Sequence, residues 1–214
     1  MRFRDRAEAG RQLGEKLTHM AGQRPVVVGL PRGGVPVAAE IARRLRAPLD
    51  VILVRKVGAP HRAELAAGAV GEDGVTVRNL AVLQGMGLSW EDDLADQVAK
   101  ERAEVRRRAG TLRQGRSRVD LLGRTVIIVD DGIATGSTVV AAMRVVRGLG
   151  AKWVVLAVPV APPDALRHLE ELADEVICLH APVRFLAVGQ WFEDFRQVSD
   201  QEVRVLLGSH DPNR

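Results

Sequence analysis

The sequence predicts an α/β fold: an open, mostly parallel sheet with helices on both faces, and a small irregular C-terminal element. Three observations predict it. Short β-branched runs alternate along the chain with longer segments that carry helix signals, the pattern of repeated βα units. The strand-like runs are apolar without alternation, as in parallel strands covered on both sides. The helical segments begin with capping residues or prolines, so their starts are marked independently of their periodicity.

The elements follow in order. Asp5 precedes Glu8 by three, a capping-box spacing for a first helix to about Met20. Val26-Val27-Val28 is the first strand, and Val51-Ile52-Leu53-Val54 the second. Residues Gly58 to Gly74 are rich in Gly and Ala and hold only short strand-like pieces. Ser89 precedes Asp92 by three and opens a long helix from Trp90 to about Leu112, acidic at its start and basic near its end, which complements its dipole. Thr125 to Val129 is a third strand, followed by a helix from about Ser137 to Leu149. Trp153 to Val158 is a fourth strand, Pro162-Pro163 open a helix through Leu172, and Val176-Ile177 mark a fifth strand. From Ala181 the chain reads as irregular, yet Phe185, Trp191, Phe192 and Phe195 are four of its seven aromatic residues. The whole reads as one domain over residues 1–214, with a core of about 22–180 and a C-terminal element of about 181–210.

Composition excludes several classes. Of the 214 residues, 46% are hydrophobic and 27% charged, an ordinary globular balance. No apolar run is long enough to span a bilayer. Met1 to Gly10 is charged throughout, unlike a secretory signal, and one cysteine, Cys178, makes no internal disulfide, so the cytoplasm is the expected location. The net charge of +4 owes much to Arg102, Arg106, Arg107, Arg108, Arg113, Arg116 and Arg118. No aromatic residue interleaves with them, so a solvated helix face is favoured over a nucleic-acid surface. The five histidines are scattered and suggest no catalytic or metal cluster.

The most informative stretch runs from Val126 to Thr138. A buried strand ends in two carboxylates, Asp130 and Asp131, then a loop of small and hydroxyl residues leads into a helix. Small residues let backbone N–H groups converge on an anion, the helix N-terminus adds its positive end, and Thr135, Ser137 and Thr138 add hydroxyl donors. No lysine follows, so this is not a P-loop, and no GxxxxGK[ST] or GxGxxG occurs that would signal a nucleoside triphosphatase or a dinucleotide-binding dehydrogenase. A phosphate nest beside two carboxylates is what a ribose 5-phosphate needs.

This stretch resembles the 5-phosphoribosyl 1-diphosphate (PRPP) motif of the type I phosphoribosyltransferases: four apolar residues, two acids, then a small-residue loop with Thr-Gly. The resemblance implies that Asp130 and Asp131 hold the ribose hydroxyls and that Ile133, Ala134, Thr135, Gly136, Ser137 and Thr138 hold the 5′-phosphate. Leu30-Pro31-Arg32-Gly33-Gly34, after the first strand, resembles the family's pyrophosphate loop, implying a role for Pro31, Arg32, Gly33 and Gly34. Arg55 and Lys56, expected at the end of the second strand on the ligand side of the sheet, would add cations for the diphosphate. Glu64 to Gly71 occupies the place of the family's mobile loop, and the C-terminal element that of its variable hood. In the hood, Trp191 or Phe192 would stack on a planar base, and Glu193 or Asp194 would touch a metal or an exocyclic amine.

The implied activity is transfer of the phosphoribosyl group from PRPP to a nitrogen acceptor, a nucleobase above all, with release of pyrophosphate. Catalysis would rest on positioning and electrostatics by Asp130, Asp131, Arg32 and Lys56, with Mg²⁺ near Asp130 and Asp131, directly or through water or ribose hydroxyls, and Glu193 a further candidate ligand. One departure stands out. The 6-oxopurine enzymes carry an acidic residue where this loop has Ala134, which has no proton-accepting group. Two other readings stay open: a regulator that senses PRPP or nucleotides, and a hydrolase or phosphorylase of phosphoribosyl compounds. Dimers are common among proteins of this kind, so a homodimer is a further expectation.

Overall fold

The computed structural model describes residues 2–210. Its centre is a five-stranded, all-parallel sheet in the order β2-β1-β6-β7-β8. These strands are β1 (Val26–Gly29), β2 (Leu49–Val51), β6 (Thr125–Val129), β7 (Trp153–Val160) and β8 (Glu175–His180). A second sheet, antiparallel, is formed by β3 (Val54–Ala59), β4 (Arg62–Gly71) and β5 (Thr76–Arg78). The helices are α1 (Arg6–Lys16), α2 (Gly34–Leu45), α3 (Leu80–Met86), α4 (Ala95–Arg113), α5 (Ser137–Gly148), α6 (Pro163–Glu170) and α7 (Asp200–Ser209).

The unbroken apolar runs are explained by two cores. Val27, Ile127, Val129 and Val155 point into one, shared with α1, α2, α4 and α7. Their sequence neighbours Val26, Val28, Val126, Ile128 and Val154 point into the other, under α5 and α6. Each such side chain contributes about 1.5–3 kcal/mol of burial, which fixes the central strands in register. With Val28 paired to Ile128 and β2 on the far side of β1, the chain order reverses between β1 and β6. That is the switch point at which open α/β sheets receive ligands, beyond the C-terminal strand ends.

Several expectations change here. The second strand, expected at Val51 to Val54, is the junction of two: β2 ends at Val51 and β3 begins a separate sheet at Val54. Arg55 and Lys56 therefore lie on β3 and not at the end of a parallel strand. The stretch expected as a loop, Glu64 to Gly71, belongs to the ten-residue strand β4. Its small residues are there for close packing: a Cβ on Gly68 would lie 2.4 Å from the Trp90 ring and 2.3 Å from the Val77 carbonyl oxygen. Helix α4 starts at Ala95 and not at Trp90, because Ser89 closes a turn of its own. Its hydroxyl donates to Asp92 at 2.7 Å, and its N–H donates to Asp93 at 2.7 Å. The first helix ends at Lys16, before a 3₁₀ turn over Thr18–Gln23.

The arginine-rich segment is largely engaged within the fold. Arg113 is 6% exposed and bonds Asp50 at 2.8 Å, Glu72 and the Val51 carbonyl, tying α4 to β2 and to the turn after β4. Arg102 donates to Thr76, Arg107 pairs with Glu104 and Arg118 with Asp73. At the other end, the tail after β8 contains a 3₁₀ turn (Val188–Trp191) and α7, which is closed by a capping box between Ser199 and Glu202. The tail is pinned to the first residues of the chain: Phe3 N–H donates to the Trp191 carbonyl and Glu193 N–H to the Phe3 carbonyl, both at 2.8 Å.

Candidate functional site

Two loops meet at the switch point. The Leu30 N–H donates to the Val129 carbonyl at 2.8 Å, so the ends of β1 and β6 stay together. Beyond β1, Pro31 to Gly34 turn into α2, with the Pro31–Arg32 peptide in the cis form. Beyond β6 come Asp130 and Asp131. The loops touch at Gly33, where a Cβ would lie 2.0 Å from Asp131 Oδ2. Only a glycine leaves that carboxylate its place.

The two carboxylates are in strained electrostatic company. Burial, then the neighbouring Asp131 charge, pushes Asp130 well above the usual carboxylate range, against the pull of a hydrogen bond from the Asp131 N–H at 2.9 Å. Burial also raises Asp131, while Arg6 opposes that rise with a hydrogen bond and its charge. Arg6 donates to Asp131 Oδ2 through Nε at 2.8 Å, and its Nη2 lies 2.7 Å from the same oxygen. Sequence reasoning missed Arg6, which has no motif around it and lies 125 residues from its partner.

Gly132 to Val139, together with Asp130, line a cavity of about 170 Å³. Gly136 (φ +76°) turns the chain into α5, leaving the N–H groups of Ser137 and Thr138 in the first turn without partners inside the helix. Thr135 and Ser137 are exposed, with their hydroxyl oxygens 3.4 Å apart. Ile133 differs from its neighbours. Its N–H donates to the Val160 carbonyl at 2.9 Å and its side chain is buried, so it anchors the loop and has no donor left for an anion. The cradle is therefore Ala134, Thr135, Gly136, Ser137 and Thr138.

Cations surround this cradle unevenly. Arg32 is half-buried in the first loop. Lys56 lines a small cavity with Ser137 and Arg144. Arg55 is paired with Glu101 of α4 at 2.7 Å. Arg108, a second residue that sequence reasoning left out, comes from α4 to a narrow cleft shared with Leu30, Pro31, Arg55 and Thr138. Its signal was hidden in the arginine run, where nothing distinguished it from its neighbours.

The hood residues divide. Phe192 is 4% exposed, stacked on Phe195 at 5.0 Å between ring centres and tilted against Phe3 at 5.4 Å. Its faces are taken, so it does not meet the expectation of stacking on a base. Trp191 is half-buried and lines a cavity of about 270 Å³ with Arg2, Arg184 and Gln190, and its buried Nε1 lacks a hydrogen-bond partner. Glu193 and Asp194 are exposed. Among the described residues no three His, Cys, Asp or Glu side chains are placed to hold a metal ion together, so Glu193 does not join Asp130 and Asp131. The pair offers hard oxygen donors, which fits Mg²⁺ only if the ion takes its remaining ligands from substrate and water.

A loop of small and hydroxyl residues at a helix N-terminus stands beside a carboxylate pair, at the switch point where open parallel sheets receive ligands. Comparison with known proteins gives the family. The phosphoribosyl transferase domain model matches residues 6–190, and the chain belongs to that family. It is 52% identical over 208 residues to Rv0571c of Mycobacterium tuberculosis, whose name assigns it provisionally to the phosphoribosyl transferases; the match covers 96% of this chain and 46% of that one. The chain thus spans about half the length of these curated relatives. The crystal structure of TT1426 from Thermus thermophilus is similar at a TM-score of 0.91 and 46% identity, covering 98% of this chain and 99% of that one. A purine phosphoribosyltransferase from Pyrococcus horikoshii shares the fold at a TM-score of 0.50 and 19% identity, over 91% and 93% of the two chains. Among the described residues no helix is long and apolar enough to cross a membrane.

Proposed function

We propose that this domain transfers the 5-phosphoribosyl group of PRPP to a nitrogen acceptor, most simply a nucleobase, and releases pyrophosphate. The observation that carries the reading is the meeting of Asp130 and Asp131 with the phosphate cradle and with Gly33 of the facing loop. In the reaction, the bond from the anomeric carbon to the diphosphate oxygen breaks and its electron pair leaves with the diphosphate. The acceptor's lone pair forms the new carbon–nitrogen bond, and its proton passes to solvent.

The residues have separate tasks. Ala134 to Thr138 hold the 5′-phosphate by backbone N–H groups and hydroxyls. Asp130 and Asp131 accept hydrogen bonds from the ribose hydroxyls and so fix the ring as positive charge builds on it. Pro31 to Gly34, with Arg32, Lys56 and Arg108, face the leaving diphosphate; Arg55 shares its charge with Glu101. Mg²⁺, when bound, neutralises diphosphate charge.

A nucleobase acceptor is supported by a 35% identical stretch of 101 residues in an adenine phosphoribosyltransferase of Mycobacterium avium, covering 47% of this chain and 52% of that one. Ala134 agrees with it, since the loop lacks the acid expected of 6-oxopurine enzymes. Trp191 is the aromatic left to meet the base. The single cysteine, Cys178, agrees with a cytoplasmic reaction. Calorimetric titration with PRPP, with and without Mg²⁺, tests the reading alongside an Asp130→Asn/Asp131→Asn variant. Mg²⁺-dependent binding that the variant loses is expected, followed by pyrophosphate release in a nucleobase screen. No binding by the folded wild type would sink the proposal.

A further inference from the structure

We infer that Arg6 is a positioning residue for the ribose: it holds Asp131 by one oxygen and so presents the other to a ribose hydroxyl. The inference rests on the reading of Asp130 and Asp131 as the ribose site. Both Arg6 contacts, Nε at 2.8 Å and Nη2 at 2.7 Å, fall on Oδ2. Among the described residues no other residue donates a hydrogen bond to Oδ1; the nearby backbone donor is Asp131's own N–H, which also donates to Asp130 Oδ1. Asp131 is thus gripped from one side by a guanidinium and confined on another by Gly33, where even a Cβ would collide. A carboxylate held this way keeps one rotamer, and its remaining oxygen stays open for a substrate donor.

Arg6 is itself immobilised. Only 9% of it is exposed. Its Nη1 donates to the Arg196 carbonyl at 2.9 Å, and its guanidinium lies 4.0 Å from the centre of the Phe195 ring. The residue before it, Asp5, caps α1 by accepting from the Glu8 N–H at 2.7 Å, which fixes the backbone from which Arg6 projects. Other acidic groups were available: Asp5, Asp194 and Glu202 line the same depression as Arg6. The guanidinium instead reaches the carboxylate at the sheet's switch point. Arginine suits the task because its rigid fork serves Asp131 and the Arg196 carbonyl at once while its face stacks on a ring; lysine would supply the charge without the fork.

The test compares two probes. PRPP contains the ribose; inorganic pyrophosphate engages the same site without it. Both are titrated calorimetrically, with Mg²⁺, into wild type, Arg6→Lys, Arg6→Gln, Asp131→Asn and the Arg6→Gln/Asp131→Asn pair. We expect Arg6→Gln to weaken PRPP about tenfold or more, the scale of a lost charge-assisted contact, and pyrophosphate by less than about twofold. Arg6→Lys should lie between, which keeps the test decisive if Arg6→Gln does not fold. In the Asp131→Asn background, Arg6→Gln should cost PRPP nothing further. Equal losses for both probes, or the same extra loss without Asp131, would overturn the inference and leave Arg6 a packing residue. A wild type that binds no PRPP, or an Asp131→Asn protein that binds it normally, would overturn the ribose-site reading itself.

Discussion

Replacing Arg113 by methionine should cost this protein a large share of its stability. Arg113 faces two acids, Asp50 and Glu72, with 7% of its side chain and 6% of each of theirs exposed to solvent. Burial pulls the guanidinium's pKa down, yet the hydrogen bond to Glu72 and the two acidic charges outweigh it and hold it above its ordinary value. Methionine fills similar space but strands both carboxylates, which keep backbone donors alone among the described residues: Val51 N–H at 2.7 Å and Val119 N–H at 2.8 Å for Asp50, and Leu53 N–H at 3.0 Å for Glu72. Breaking a buried pair from one side costs about 3–5 kcal/mol. For a domain of this size each kcal/mol moves the melting temperature by about 2–4 °C, so a fall of about 6–20 °C is expected in thermal unfolding followed by circular dichroism at pH 7. Neutralising all three positions (Arg113→Met, Asp50→Asn, Glu72→Gln) should recover much of the loss, because no charge is then left buried. A single variant that melts within about 2 °C of wild type would refute the reasoning.

Other outcomes follow from single contacts. Gly33→Ala should displace Asp131, since the added Cβ meets Oδ2 at 2.0 Å; PRPP binding measured calorimetrically should fall about tenfold or more, and unchanged affinity would mean the loops are not in contact in solution. Ser199→Ala removes the hydroxyl that caps α7 and should cost about 1 kcal/mol, read as a melting shift of about 2–4 °C. Its partner Glu202 is held at about 2 by hydrogen bonds, first from Arg196 and then from Ser199. A carboxylate with a depressed pKa stabilises the folded state fully above its ordinary value of 4.5 and loses that contribution as the pH falls toward 2, so α7 should loosen in that window and not above it. The Cys178 thiol, pushed up to about 11 by burial, should resist alkylation at pH 8 in the folded protein and react once denatured. Equal rates in both states would contradict the burial.

The parts of this fold legible in the sequence are those whose local and tertiary demands agree. Thr125–Val129 and the helix beginning at Ser137 lie where their residues predict, because an apolar run, two acids and a glycine-rich turn each specify the same local structure. The second sheet was opaque for the opposite reason. β4 is rich in Ala and Gly, weak strand formers, and is stabilised by what packs on it: Trp90 over Gly68 and Val145 against Gly71. Helix α7 did carry a signal, the Ser199–Glu202 spacing, but the irregular run before it drew attention to its aromatics instead. Within the candidate site, the loop from Gly132 to Thr138 was readable because its residues are contiguous. Arg6 and Arg108 were not, since each arrives from a distant helix and its residue type alone does not reveal where the fold will deliver it. Phe192 gave the converse error: an aromatic in the right place for a ligand, spent on Phe3 and Phe195.

The stitching of Phe3 to the tail has a consequence for the order in which the protein is made. Arg6 finds its carboxylate 125 residues later and its carbonyl partner 190 residues later, so the earliest helix waits for almost the last segment of this domain before its side chain has anywhere to go. The parallel strands can pair as they emerge, but the guanidinium clamp on Asp131 cannot exist until the hood has been translated and has folded back on the amino-terminal residues. A partly synthesised or partly folded chain would therefore carry the Gly132 to Thr138 loop beside an Asp131 without its guanidinium partner, and the sugar recognition we propose would arrive only once the tail has folded back.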